Sequence, residues 1–189
     1  VQNLETKYGT KDFEKLLGKM SDTEYLKFRK YESLSPLGMA TAGGKFVNNT
    51  EKLYRYSDKI PPEPGFTDFV CHADPDQFII YLDGDEKKQA VTYTPKEYAT
   101  MIRNSTSYQG GDIRIISCQA GAKENGAAKQ LAIELGVKVK APTEVVNVDN
   151  NGRMFISDND ILAELWYNAK EDEKKLFKET GKWIVFDPK

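Results

Sequence analysis

Short apolar runs and helical patterns alternate over residues 66–140, and this order constrains the fold more than any other feature of the chain. Runs with the composition of strands cover 66–72, 77–82, 89–93, 112–117 and 137–140. Two segments, 95–104 and 123–135, instead have apolar residues at helical spacing. Strands joined through helices form sheets with a parallel core and crossover helices. The sequence therefore predicts an α/β domain of that kind.

Both ends of this region have simpler patterns. Residues 10–32 have apolar residues at helical spacing and predict a helical N-terminal arm, which a Pro- and Gly-rich stretch separates from the α/β domain. We accordingly expect an arm and linker over 1–60 and the α/β domain over 61–189. Beyond residue 140, the sequence predicts a hairpin around Asp149–Gly152, a charged helix over about 160–178 and a last strand at 183–186.

Composition narrows the classes of function. The net charge of −2 gives no general attraction to nucleic acid, and no apolar run is as long as a membrane span, so we expect neither nucleic acid nor a membrane as partner. One His and two Cys, without paired short spacings, do not predict a zinc site. We expect no metal and no cofactor. Because the first residue is Val1 rather than Met, we expect a piece of a longer protein.

Two of the predicted strands end on residues that suit nucleophilic catalysis. His72, the one histidine of the chain, ends the first strand, and Cys118 ends the strand that opens into the second predicted helix. Functional groups in α/β sheets collect at the carboxyl ends of parallel strands. Helix N–H groups directed at a sulfur would favour its thiolate. We therefore predict Cys118 as nucleophile and His72 as general base. The histidine precedes the cysteine along the chain. This order excludes the papain-like and transglutaminase-like classes of enzyme, in which the base follows the nucleophile in sequence.

Neighbouring residues receive lesser roles. Backbone N–H groups near Ala73 and Gln119 are candidates to hold an oxyanion. Asp74 follows the first strand in a polar Asp-Pro-Asp segment, which predicts a turn, with orientation of His72 or cation binding as alternatives. Cys71 alternates with His72 along the strand and is predicted to face the core.

A histidine at one strand end, followed by a strand ending Ile115-Ile116-Ser117-Cys118 with Gly121 shortly after, resembles the caspase-like clan of cysteine peptidases. That clan includes caspases, gingipains and self-cleaving peptidase domains of bacterial toxins. Where the clan has Gly directly after the base, this chain has Ala73. Further segments resemble C-terminal domains of bacterial polymorphic toxins; they are Leu135-Gly136-Val137, Ala141-Pro142, Trp183, Phe186 and Pro188.

The resemblance implies a caspase-like sheet and a cysteine peptidase-like toxin effector. It also implies a protein substrate in a target cell, a cognate immunity protein, and secretion or delivery as part of a larger bacterial protein. Two alternatives stay open. One is a non-catalytic interaction module on the same fold, and the other is a toxin that acts on nucleotides or nucleic acid through carboxylates and tyrosines, with Cys118 merely structural.

Overall fold

The computed structural model describes residues 44–47, 51–81, 90–105 and 108–189. Contacts divide the chain into a unit of residues 1–36 and a unit of residues 37–189. The helical arm predicted over 10–32 lies outside the described residues. The architecture below is that of the second unit alone.

This unit contains nine described strands and four described α-helices. The strands are β1 (Lys45–Phe46), β2 (Thr67–Ala73), β3 (Phe78–Tyr81), β4 (Ala90–Tyr93), β5 (Ile113–Ile116), β6 (Val139–Pro142), β7 (Val145–Val148), β8 (Met154–Ser157) and β9 (Trp183–Phe186). The helices are α1 (Lys52–Tyr56), α2 (Pro95–Arg103), α3 (Ala127–Leu135) and α4 (Asp160–Asn168). Short 3₁₀ helices form at Ser57–Lys59 and Lys174–Leu176.

Seven strands form one mixed sheet in the order β4-β3-β2-β5-β6-β9, with β1 also paired to β2. β1, β2, β5 and β6 pair in parallel, whereas β3, β4 and β9 are antiparallel to their neighbours. α2 connects β4 to β5, and α3 connects β5 to β6. The predicted α/β class is therefore confirmed. β7 and β8 form the predicted hairpin as a separate two-stranded sheet.

Local sequence explains where the two crossover helices lie. Thr94 and Glu97 form a capping box at the start of α2, with Pro95 in its first turn. Gly136 ends α3 in the left-handed conformation, with φ of 71°. The two helices pack against each other, and Tyr98 of α2 contacts Phe46 and Phe78 of the sheet. One face of the sheet is thus buried under α2.

The other face of the sheet carries a second apolar cluster. Val70 of β2 and Ile116 of β5 pack there with Val47, Ile60 and Val148, and the partly buried side chains around them include Leu53 and Trp183. Side chains alternate between the faces of a strand, so every second residue from Val70 and Ile116 points to this side. We call it the hairpin face, because β7 covers it.

Three boundaries differ from the sequence prediction. Residues 45–60, expected in the N-terminal arm and linker, contribute β1 and α1 to the second unit. α3 begins at Ala127 rather than near 123, because Gly126 lies against the carbonyl of Pro75 and the Ala127 N–H donates to it. The charged helix ends at Asn168 rather than near 178, since Ala169 has extended backbone.

In the described part of the chain, every helix falls short of the length and apolar character needed to cross a membrane.

Candidate functional site

The strand register brings His72 and Cys118 to one place. Val70 of β2 lies opposite Ile116 of β5 in a parallel pair. His72 lies two residues after Val70 within β2, and Cys118 lies two residues after Ile116, just beyond the end of β5. Neighbouring strands lie about 4.8 Å apart. The two residues that the sequence singled out therefore lie at the carboxyl ends of adjacent parallel strands.

A pocket of about 640 Å³ contains both side chains. Cys118 is partly exposed there, and the His72 side chain is 16% exposed. Ala73 also lines the pocket, whereas Asp74 and Gln119 are not among its lining residues. Its remaining walls come from the start of α1, from β3, from β7 and from α4; they include Glu51, Leu53, Tyr81, Val145, Val146, Asn147 and Tyr167. The site is a concave pocket with a thiol and an imidazole in it.

A buried carboxylate holds the imidazole. Nε2 of His72 lies 2.5 Å from Oε2 of Glu51, whose side chain is only 10% exposed. The ring of Tyr81 packs against the His72 ring with centroids 4.7 Å apart. Sequence reasoning missed Glu51 because it lies in the segment assigned to the linker, 21 residues from His72. No motif or spacing in the sequence connects the two.

Asp74, the carboxylate considered for orienting His72, organises a turn instead. Its Oδ1 accepts hydrogen bonds from the N–H groups of Asp76 and Gln77, at 2.8 and 3.0 Å. Its Oδ2 accepts from Nε2 of Gln77 at 2.9 Å. This is the turn between β2 and β3, as the polar segment predicted. The carboxylate at His72 is that of Glu51.

The backbone donors proposed for an oxyanion have different surroundings. The N–H of Gln119 donates to the carbonyl of Glu144 at 3.1 Å. Because this N–H is already engaged, the prediction that it holds an oxyanion is wrong. In β2, the N–H of Thr67 donates to Asp112 at the start of β5. N–H directions repeat at every second residue of a strand. Ala73 lies six residues after Thr67, so its N–H points from β2 toward the side where β5 lies. Cys118 follows the end of β5 on that side.

The segment after Cys118 also differs from the prediction. Gln119 has a left-handed φ of 56°, which is uncommon for a residue with a side chain. The chain then runs through turns to α3, whose first residue is Ala127. The N–H of Ala127 donates to the carbonyl of Pro75 at 2.9 Å, so this first N–H of α3 is engaged away from the Cys118 sulfur. The His72 imidazole, by contrast, lines the same pocket as Cys118.

The second cysteine has a different environment. Cys71 is buried, with 1% exposure, and neither cysteine forms a disulfide. Burial raises the pKa of the Cys71 thiol to about 12, although a hydrogen bond with Tyr98 acts in the opposite direction. A thiol in this state is a poor nucleophile at neutral pH. Cys118 is thus the thiol with the accessibility that covalent chemistry requires.

Comparison with known proteins places part of the chain in a protein family. Residues 43–156 match the family described as "Domain of unknown function (DUF8616)". The matched range includes Glu51, His72 and Cys118 and ends within β8. No curated protein and no solved structure matches the chain.

Proposed function

Because the chain belongs to the DUF8616 family, a family of unknown function, we propose its activity from the geometry of the site: a cysteine-dependent, peptidase-like hydrolase on a caspase-like sheet. Cys118 is the nucleophile and His72 the general base. The observation that carries the proposal is the meeting of the partly exposed Cys118 thiol and the His72 imidazole in one pocket.

The reaction follows from these groups. His72 accepts the proton of the Cys118 thiol, and the sulfur attacks a carbonyl carbon to form a tetrahedral oxyanion. The N–H of Ala73, which is directed toward the β5 side, donates a hydrogen bond to that oxyanion. His72 then protonates the leaving amine, which leaves an acyl group on sulfur as a thioester. Water, deprotonated by His72, hydrolyses the thioester and restores the thiol.

The edge of β7 supports an extended peptide as substrate. Asp149 N–H donates to the carbonyl of Arg153. Hydrogen-bonded pairs alternate along an antiparallel ladder, so Asn147 bonds to β8, whereas the N–H and carbonyl of Val146 point away from β8. On the β8 side, Ile156 faces outward and its N–H and carbonyl bond to residues 179–181. On the β7 side the pocket borders Val145–Val148. An extended chain can add to such an edge beside Cys118.

The biological setting is part of the same proposal. A caspase-like effector domain of a polymorphic toxin acts on a protein in a target cell, is neutralised by a cognate immunity protein, and arrives as part of a larger bacterial protein. The resemblance in the segments from Ile115 to Cys118 and from Leu135 to Pro142 supports this setting.

The test is a comparison of wild type and Cys118→Ala on a library of proteome-derived peptides, with new termini identified by mass spectrometry. We expect new termini with wild type and none with Cys118→Ala, which keeps its thermal unfolding midpoint because the site lies at the end of a strand. Absence of new termini with folded wild type would favour a non-catalytic module. Release of nucleotides from RNA or DNA by both proteins would favour the carboxylate-based toxin.

A further inference from the structure

We propose that Glu51 is a positioning residue for His72: it holds the imidazole through Nε2 and so presents Nδ1 to the Cys118 thiol. The inference rests on the proposed Cys118–His72 chemistry and adds a third residue to it. In this proposal Glu51 acts through its contact with the histidine.

The first observation is where the Glu51 side chain goes. Glu51 occupies the N-cap position of α1 with extended backbone, φ −72° and ψ 146°, yet its carboxylate forms no capping bond to that helix. The side chains that commonly cap a helix are those of Asp, Asn, Ser and Thr, and the longer Glu51 side chain forms no such bond here. Here the carboxylate lies 2.5 Å from Nε2 of His72 instead. The carboxylate is therefore directed to the site rather than to its own helix.

The second observation is that the segment carrying Glu51 is anchored to the sheet. Nζ of the buried Lys45 in β1 pairs with Asp58 and donates to the carbonyl of Tyr54 at 2.8 Å. The same ammonium lies over the Tyr54 ring, 4.3 Å from its centroid. Ile60, at the end of the segment, is buried in the apolar cluster of the hairpin face. The contacts of this segment with β1 and with the hairpin face thus hold Glu51 beside His72.

The chemistry of the contact fixes the tautomer. An ionised carboxylate only accepts hydrogen bonds, so Nε2 of His72 carries the proton in this contact. In the neutral ring, Nδ1 is then the nitrogen with a free lone pair, and it is the one that takes the proton from Cys118. The carboxylate also favours the imidazolium that forms when the thiol is deprotonated. The other titratable groups that line the pocket are Lys52, Cys71, Tyr81, Cys118 and Tyr167.

The experiment uses two substitutions that separate orientation from charge. Glu51→Gln keeps an acceptor for Nε2–H but removes the charge, whereas Glu51→Leu removes both. The readouts are the rate of Cys118 alkylation by iodoacetamide from pH 5 to 10, and the ¹⁵N spectrum of the one imidazole. Glu124→Gln, a loss of the same charge at an exposed position after Cys118, is the matched control.

We expect Glu51→Gln to lower the alkylation rate at pH 6 by about tenfold while keeping the Nε2–H tautomer, because one favourable charge is lost. Glu51→Leu should lower the rate at pH 6 further and lose the fixed tautomer. All variants, including Glu124→Gln, should converge above pH 9, where the thiol ionises unaided.

Equal rates at pH 6 in wild type and both folded Glu51 variants would overturn the positioning role. His72→Ala separates this failure from that of the proposed function. If His72→Ala slows alkylation while the Glu51 variants do not, only the role of Glu51 is lost. If His72→Ala has no effect either, the Cys118–His72 chemistry itself is wrong.

Discussion

Cys71 lies in β2 and Cys118 lies just after the adjacent strand β5, and their surroundings differ. Cys71 is buried and its pKa is raised to about 12 by that burial, whereas Cys118 is partly exposed. The sequence predicted this division, because Cys71 alternates with His72 along β2 and so faces the opposite side of the sheet.

We expect iodoacetamide at pH 7 to label Cys118 in the folded chain and to leave Cys71 unlabelled until the chain unfolds. Peptide mass spectrometry of the labelled protein measures both sites. If Cys71 were labelled before Cys118, the proposed assignment of Cys118 as the nucleophile would be wrong.

Replacing Cys71 should affect stability rather than chemistry. Cys71→Ala leaves a small cavity in the core and should cost about 1 kcal/mol of unfolding free energy. Denaturant unfolding measures this cost, and the iodoacetamide rate at Cys118 is the control, which should stay at the wild-type value. A loss of Cys118 reactivity in a stable Cys71→Ala protein would contradict this division of roles.

The candidate site was predictable only in part, and the reason lies in how each residue reaches it. His72 and Cys118 end apolar runs, and strand ends meet because the sheet is parallel. Glu51 comes from an element that neither periodicity nor a motif connects to the sheet. The N–H of Gln119 was misjudged because its partner, Glu144, lies in a connection whose path depends on tertiary packing.

At the scale of elements, the segment from Gln119 to Gly126 connects Cys118 to α3. A Cβ added to Gly121 would lie 2.8 Å from the carbonyl oxygen of Ala141 and 3.0 Å from that of Pro142. The N–H of Gly121 donates to the same Pro142 carbonyl at 2.8 Å. Glycine is required here by close approach of two backbones rather than by a special φ.

Gly121→Ala should therefore destabilise the fold by about 1–3 kcal/mol, the usual cost of overpacking a closely packed position. The substitution should also lower the alkylation rate of Cys118, since the segment that follows the sulfur must shift. Ala122→Ser, at the exposed neighbouring position, is the control and should change neither quantity. Wild-type stability in Gly121→Ala would show that the two backbones separate easily.

The strands were predicted closely because β-branched runs and turn residues mark them locally. The start of α3 was not, because Ala122, Lys123 and Glu124 before Gly126 suit a helix. There, the contact of Gly126 and Ala127 with the Pro75 carbonyl decides the boundary. A contact between segments that are some fifty residues apart leaves no trace in a local pattern.

At the scale of the whole molecule, a buried ion pair ties the hairpin to the segment after α4. Nζ of Lys174 lies 2.6 Å from Oδ2 of Asp149, with side-chain exposures of 5% and 2%. Burial would raise the pKa of Asp149, but hydrogen bonds from Lys174 and from the N–H groups of Arg153 and Asn151 outweigh it, and the pKa is lowered. Lys174 also lies over the ring of Trp166.

Asp149→Asn should cost up to about 3–5 kcal/mol, because it removes the buried counter-charge of Lys174 and leaves only the half-exposed Glu171 as its partner. Arg153→Met is the control. It breaks an exposed pair with Glu171, in which the side chains are 50% and 47% exposed, and should cost at most about 1 kcal/mol. If urea unfolding gave the same loss of unfolding free energy for both variants, the buried pair would be no more stabilising than the exposed pair, which would contradict this prediction.

The same pair predicts an acid limb of stability. Since the pKa of Asp149 is lowered in the folded chain, its contribution is complete above the unfolded-state value of about 3.9 and is lost as pH falls through the lower folded-state value. Wild type should lose stability below about pH 4 more steeply than Asp149→Asn. Parallel urea-unfolding curves against pH for the two proteins would contradict this.

The central claim is that Cys118 and His72 act as one unit, and the pH dependence of Cys118 alkylation in wild type and His72→Ala tests it most directly. At pH 6 we expect wild type to react about tenfold faster than free cysteine, because the imidazole takes the thiol proton. In His72→Ala the rate at pH 6 should fall to that of an unassisted thiol, and the two profiles should meet at high pH. Superimposable profiles, or a Cys118 that resists alkylation until the chain unfolds, would contradict the account.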